Sequence, residues 1–304
     1  MSDGARLQWK PELGGKVSSL RFGAAGREWL AAPVRPLAAP EPGQDWARLD
    51  CSGWDECFPN IGAAMDGGLQ DHGDVWRLPW MTQSPDSLAG AVEPEGRGYR
   101  FEREIATTEG SHRHNALRIG YRLENLGDEP LAWAWAQHML LAAHERMRIV
   151  SSSPVRLRVD SAYRDGERDD SAFDDLIGGA VDAESATGPA TEISLADTVG
   201  RAAKLWLEPP LPDVVAVVDD SAGEWLAWKV ADSTCLHFGL WLNLGGWGDP
   251  PLRHVAIEPA FGVHDDPAAA FANLDPLASG ARTAWRVIVQ AGIGQEYELF
   301  MNKS

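Results

Sequence analysis

Cysteine is scarce in this chain: only Cys51, Cys57 and Cys235 occur in 304 residues, and no two of them form a Cys-x-x-Cys pair. An odd, sparse set fits a reducing compartment and excludes a disulfide framework. The start, Met1-Ser2-Asp3-Gly4, lacks the basic and then apolar run of a signal peptide, so the cytoplasm is the expected location. Long apolar runs are missing as well. The nearest, Leu131 to Ala143, is interrupted by Gln137 and His138 and falls short of the roughly 18 residues a membrane-spanning helix needs. Basic charge is in deficit, with 27 Lys and Arg against 45 Asp and Glu and a net charge of −18. A phosphate-rich polymer is repelled at long range by such a chain, so no nucleic-acid partner is expected. Three motifs are also absent. Gly14-Gly15-Lys16 is followed by Val17 and lacks the upstream glycine of a phosphate loop, and neither a Gly-x-Gly-x-x-Gly fingerprint nor a Gly-x-Ser-x-Gly elbow occurs. Kinase, Rossmann dehydrogenase and α/β-hydrolase chemistry lose their support.

What the chain does have is period-two patterning. Leu117, Ile119, Tyr121 and Leu123 alternate with Arg118, Gly120, Arg122 and Glu124, the mark of a strand with one buried face. In Leu131 to Leu140, Trp133 and Trp135 share one parity, and Ala132, Ala134, Ala136 and His138 the other. Further strands are expected at Tyr99 to Ile105, Val155 to Val159, Lys204 to Glu208, Val214 to Val218, Glu224 to Val230, Cys235 to Asn243, His254 to Glu258 and Thr283 to Gln290. Helix is rare; Asp266-Pro267 before Ala268-Ala269-Ala270-Phe271 reads as a cap opening about two turns. The 31 glycines and 20 prolines punctuate many short strands. The fold class expected is all-β, one large antiparallel sandwich over residues 1–304. Residues 160–200, acidic and then rich in Gly and Ala, read as a surface excursion within it. Fourteen tryptophans serve mainly the core of such a fold, and some can stack on the apolar faces of a sugar.

Two clusters offer metal donors, His112-x-His114 and the acidic run Asp169 to Asp175, but neither has an established ligand spacing, and solvated side chains are the better account. No metal and no cofactor is expected. Loops richer in chemistry lie at Gly53-Trp54-Asp55-Glu56-Cys57-Phe58-Pro59-Asn60-Ile61-Gly62 and Asp71-His72-Gly73-Asp74-Val75-Trp76-Arg77. Acids, amides and indoles at this density suit a small polyol; capping the end of a sandwich would use the same residues.

Four segments carry a resemblance to a known family. They are Leu13-Gly14-Gly15-Lys16-Val17-Ser18-Ser19-Leu20; Phe58-Pro59-Asn60-Ile61-Gly62 with His72-Gly73; Tyr121-Arg122-Leu123-Glu124-Asn125 leading to Gln137-His138; and Ala256-Ile257-Glu258-Pro259 with Asp265-Asp266. In this order they resemble the galactose mutarotase-like family, the aldose 1-epimerases and their hexose-6-phosphate relatives. The resemblance implies a β-supersandwich with a sugar lying across one concave sheet. It implies Glu258 as general base, His138 as general acid and His72 as a second histidine near the ring oxygen. Mutarotation asks for such groups: the anomeric hydroxyl loses a proton while the ring oxygen gains one, and a carboxylate and an imidazole do both near neutral pH. The departures are specific. Ser52-Gly53-Trp54-Asp55-Glu56 replaces the arginine and glycine pair of hexose-phosphate relatives, and an acidic pair there repels phosphate. Arg77 is displaced by one position from the family's arginine, and the hydroxyl-binding aspartate of galactose mutarotases has no counterpart. Sugar hydroxyls are therefore expected to meet Asp55, Glu56 or Asn60, with Trp54, Trp76 and Arg77 beside them.

The function expected is interconversion of the anomers of an unphosphorylated hexose or related sugar. A non-catalytic carbohydrate-binding domain of the same fold is the rival, and a hexose-6-phosphate epimerase the third reading. The partner expected is a small sugar; which sugar, and the oligomeric state, stay open.

Overall fold

The computed structural model describes residues 4–22, 26–41, 43–65, 67–82, 84, 87–108, 114–173, 192–231 and 236–294. His112, Asp174, Asp175 and Cys235 lie outside them. The strands in chain order are β1 Ala5–Lys10, β2 Lys16–Phe22, β3 Trp54–Cys57, β4 Met81–Thr82, β5 Ala89–Val92, β6 Tyr99–Thr108, β7 His114–Asn125, β8 Trp135–Met139, β9 Leu141–Ala142 and β10 Met147–Ser151. They continue as β11 Arg156–Arg164, β12 Glu167–Arg168, β13 Glu192–Ser194, β14 Arg201–Glu208, β15 Val214–Asp219, β16 Glu224–Ala231, β17 His237–Leu244, β18 Arg253–Phe261 and β19 Arg282–Ile293. The α-helix α1 spans Pro267–Ala272, its Asp266 side chain accepting from the Ala269 amide as the cap pattern requires.

Two large antiparallel sheets result, an all-β sandwich. One runs β1-β2-β3-β8-β18-β17-β14-β11-β12, with β9 also paired to β18; the other runs β13-β10-β15-β16-β19-β7-β6-β5-β4. No helix among the described residues is long and apolar enough to cross a membrane. Of the 160–200 stretch, the early part completes β11 and β12 at one edge of the first sheet, and Glu192–Ser194 forms the edge of the second.

Alternation decides which side chains meet between the sheets. From the first sheet come Trp54, Trp135, Met139, Leu205, Leu240, Val255 and Ile257; from the second come Phe101, Ile119, Tyr121, Val217, Trp228, Trp285 and Val287, all in one continuous core. Tyr121 stacks on Trp285, its neighbour across the β7–β19 ladder, with centroids 5.3 Å apart and planes 13° apart.

Inside that core sits a polar network. The carboxylate of Glu56, fully buried, accepts from Trp54 Nε1 at 2.9 Å, Arg103 Nη1 at 2.9 Å, Tyr121 Oη at 3.0 Å and Trp135 Nε1 at 2.9 Å. Gln137 Nε2 donates to Tyr121 Oη at 2.8 Å, and Trp228 Nε1 donates to Gln137 Oε1 at 2.9 Å. Arg103 also donates to the Gly15 carbonyl and lies over the Trp54 and Trp80 rings. Two sequence-based expectations are corrected here. Glu56 and Trp54 share the inward parity of β3 and are enclosed between the sheets, because successive residues of a strand face opposite ways and only Asp55 and Cys57 turn outward.

Breaking a buried pair by removing one partner typically costs about 3–5 kcal/mol, since the other charge is left uncompensated. Glu56→Ala is therefore expected to lower the unfolding free energy by about that much in urea titration. A loss below about 1 kcal/mol would be the level of a surface pair and would rule out this role.

Candidate active site

The outward face of the first sheet forms a cleft of about 160 Å³. His138 from β8 and Glu258 from β18 stand on it, joined by Lys204 from β14, Trp241 from β17, and Ser161 and Tyr163 from β11. Loops close the rim with Trp46, Ile61, Gly62, Asp71, His72, Trp247 and Asp265. The alanines that share His138's parity do not line the cleft: Ala134 and Ala136 are fully buried and pack with Cys57, Ile61, Trp206, Ala260 and Ala270.

Glu258 is fully buried and forms an ion pair through Oε2 with Lys204 Nζ, while its Oε1 has no hydrogen-bond partner among the described residues. Lys204 reaches it across Gly239, which pairs with Glu258 on one side and Trp206 on the other. A Cβ at Gly239 would lie 3.3 Å from the Trp206 ring and 3.4 Å from Lys204 Cε, so the glycine clears the lysine's path. A second carboxylate, Asp265 Oδ1, lies 3.4 Å from the same ammonium. Burial alone would lower the Lys204 pKa, but Asp265 and Glu258 outweigh it and keep the amine protonated. Burial beside Glu258 pushes Asp265 up to about 6, against the pull of Lys204.

The same cleft holds two imidazoles with ring centroids 4.6 Å apart. Trp46 packs on both, 4.7 Å from His72 and 5.2 Å from His138. His72 Nδ1 faces Asp71 Oδ2 at 3.3 Å. Burial works against a charge on His72, yet Asp71 outweighs it, helped by Asp55 and Glu258, and the pKa rises. His138 goes the other way: burial and then the positive neighbours His72, Lys204, His254 and Lys16 hold it well below the usual histidine range. The loop that carries His72 is tightly fixed. Its φ of +61° is left-handed, a conformation that costs a residue with a side chain about 1–3 kcal/mol. The His72 amide donates to the Ile61 carbonyl at 2.9 Å, and its carbonyl accepts from the Phe58 amide at 3.2 Å. Gly73 follows at φ +70°, where a Cβ would fall 2.2 Å from the Phe58 carbonyl oxygen.

Of the residues proposed from sequence, His72, His138 and Glu258 meet at the cleft. Asp55 faces the same side but lies beneath Trp46. Its Oδ2 takes Lys16 Nζ at 2.7 Å and Trp46 Nε1 at 3.3 Å, so it holds the indole wall rather than lining the cleft. Asn60 is likewise a brace, its Nδ2 donating at 2.7 Å to both the Gly62 and Gln70 carbonyls. Trp76 donates to the Asp71 carbonyl at 3.1 Å and packs behind Trp46. Arg77 lies over Trp76 at 5.5 Å and donates to the Glu41 carbonyl, away from the lining. None of these three reaches the lining, because each is spent on holding a loop. Lys204, Trp46, Tyr163, Trp241 and Trp247 were not foreseen. A signal existed for one of them: Lys204 is a lone charge within the apolar run Ala202 to Leu207.

Asp265 is fixed by its backbone. Its amide donates to Asp160 Oδ2 at 2.9 Å and its carbonyl accepts from the Gly62 amide at 2.9 Å, where a Cβ on Gly62 would crowd the same oxygen. Among the described residues no three His, Cys, Asp or Glu side chains gather in a way that could hold a metal ion. Cys51 and Cys57 are buried free thiols, and burial pushes Cys51 up to about 12.

No protein-family model matches the chain, and no curated protein does. Solved structures do. A galactose mutarotase-like protein from Lactobacillus casei is 14% identical, with 96% of this chain and 98% of that one covered at a TM-score of 0.63. A galactose mutarotase related enzyme from Lactobacillus acidophilus is 13% identical, with 97% of each chain covered at 0.63. A protein from Klebsiella pneumoniae, provisionally assigned as an aldose 1-epimerase, is 14% identical, with 99% and 80% covered at 0.70. The chain thus has the galactose mutarotase-like fold, over nearly its whole length.

Lys204→Met leaves the buried Glu258 carboxylate without its cation, and an expected cost of about 3–5 kcal/mol follows. The double variant Lys204→Met/Glu258→Gln is expected to recover most of it in the same urea titration, giving a coupling energy well above 1 kcal/mol. Strictly additive losses would show that the two groups do not hold each other.

Proposed function

We propose that this protein is an aldose 1-epimerase acting on an unphosphorylated sugar. The observation that carries the reading is that the free oxygen of Glu258 and a pair of imidazoles line one cleft. Glu258 Oε1 takes the proton of the anomeric hydroxyl, the bond between C1 and the ring oxygen breaks, and an imidazole supplies the proton that the ring oxygen needs. Rotation of the open aldehyde about C1–C2 and reversal of both transfers gives the other anomer, and each positioned group contributes on the order of 10²–10⁴-fold. Trp46, Trp241, Trp247 and Tyr163 give the cleft aromatic walls on which the C–H faces of a sugar can lie.

Selection against phosphate follows from charge. The cleft's basic groups among the described residues are Lys204, His72 and His138, and Lys204 and His72 already face carboxylates. A phosphate finds no unpaired cation there. One observation favours a second reading, a domain that binds sugar without turning it over: the ion pair of Lys204 with Glu258 draws on the electrons of the base.

Polarimetry on freshly dissolved α-glucose and α-galactose separates the two. Wild-type protein is expected to accelerate the approach to equilibrium for at least one sugar, and Glu258→Gln to lose about 10²-fold or more of that rate. No acceleration across a panel of free sugars, with sugar binding still measurable, would leave the binding reading in its place.

A further inference from the structure

We infer that Lys204 is the positioning residue of the base, holding Glu258 ionised with one oxygen left for the cleft, and that Asp265 is the counter-ion that keeps Lys204 paired while Glu258 carries the substrate's proton. The inference rests on the proposed epimerase reading and adds to it what makes a fully buried carboxylate usable as a base.

The geometry points this way from three sides. Glu258 has no exposed surface, and a carboxylate so placed takes up a proton unless a cation answers it. Lys204 supplies the cation. Its ammonium pairs with Oε2, which leaves Oε1 as the oxygen without a hydrogen-bond partner among the described residues. The lysine is itself guided. It starts from β14 and reaches Glu258 over Gly239 of β17, where a Cβ would stand 3.4 Å from its Cε, and the buried Trp206 ring lies 5.0 Å from Nζ. Facing Glu258 besides Lys204 and Asp265 are Cys57 from β3, His72 from its loop and His138 from β8, while β17 places Gly239 opposite it. Finally the ammonium has a second carboxylate. Asp265 Oδ1 stands 3.4 Å from Nζ, on a backbone fixed by Asp160 and Gly62. Two carboxylates around one ammonium are more than the lysine needs at rest, and the surplus has a use once Glu258 is protonated.

The charge count closes over the reaction. At rest Glu258 and Asp265 share Lys204. Glu258 Oε1 accepts the anomeric proton as the electron pair of O1 forms the carbonyl, the C1–O5 bond breaks, and an imidazole gives O5 its proton. Glu258 is then neutral, and Lys204 would be a buried cation facing no anion if Asp265 did not stand beside it. Ring closure on the other face returns the proton of Glu258 to O1 and that of O5 to the imidazole, and the first pairing is restored.

The test follows the Glu258 carboxyl by ¹³C NMR titration of the intact protein, its resonance assigned by its absence in Glu258→Gln, beside mutarotation kinetics of the same variants. A carboxylate that loses a neighbouring cation keeps its proton to higher pH, so in Lys204→Met the Glu258 midpoint is expected to rise by about one unit or more, and the acid limb of the rate to move up with it. At pH 7 kcat is expected to fall about 10-fold or more with KM nearly unchanged. Should Lys204→Met not fold, Gly239→Ala takes its place: it keeps every charge, crowds the lysine, and is expected to move the midpoint the same way and lower kcat about 3-fold. Lys204→Met/Glu258→Gln should turn over no more slowly than Glu258→Gln, because a lysine that acts through the base has nothing left to act on. Asp265→Asn is expected to lower kcat about 10-fold with KM nearly unchanged. A midpoint that neither Lys204→Met nor Gly239→Ala moves, or additive losses in the double variant, would overturn the role of Lys204; an unchanged kcat in Asp265→Asn would overturn that of Asp265. The titration needs no sugar, so failure of the protein to turn over any sugar sinks the epimerase reading, whereas an unmoved midpoint in a protein that does turn sugar over sinks this inference alone.

Discussion

A carboxylate placed between two sheets has to be satisfied from both, and the buried Glu56–Arg103 pair is the constraint around which this sandwich is organised. Side chains with nothing but core around them cannot leave a charge unpaired. Glu56 comes from the first sheet, Arg103 and Tyr121 from the second, so the pair fixes how the sheets face each other. Through period-two alternation it also fixes the outer face. With Glu56 and Gln137 turned inward, their neighbours Asp55 and His138 must point outward, side by side across the β3–β8 ladder. The polar network that stabilises the interior thereby aims the residues of the cleft.

Charge within the cleft follows a second rule, that each buried ion is answered. Lys204 answers Glu258 and Asp265; Asp71 answers His72; Lys16 answers Asp50 and Asp55 one layer down. His138 is the exception: burial, and then the positive groups His72 and Lys204, hold its pKa well below the usual histidine range.

Several of these features can be read from residue order alone. The alternation around Leu117 to Leu123 and the parity of Trp135 against His138 give the strands and the outward direction of the histidine. The same reasoning places Glu258 opposite Val255 and Ile257, as β18 has it. It fails at β3 for want of one fact: Trp54-Asp55-Glu56-Cys57 has no apolar alternation to show which acid faces in. Trp46 and Trp247 were illegible for another reason, since each reaches the cleft from a distant stretch of chain. The lone charge of Lys204 stood out in its apolar run, but nothing local names its partner Glu258, 54 residues away.

The sequence by itself determined an all-β sandwich, the outward placement of His138 and Glu258, and a net charge of −18, because strand parity and net charge are local sums over residues. Only the tertiary structure decided that Glu56 belongs to the core and Lys204 to the cleft, and that Asp71 stands behind one histidine and not the other. Those outcomes depend on which strands pair and how loops cross the sheet, and the desolvation and charge pairing that set each group's proton arise only once distant segments are packed together.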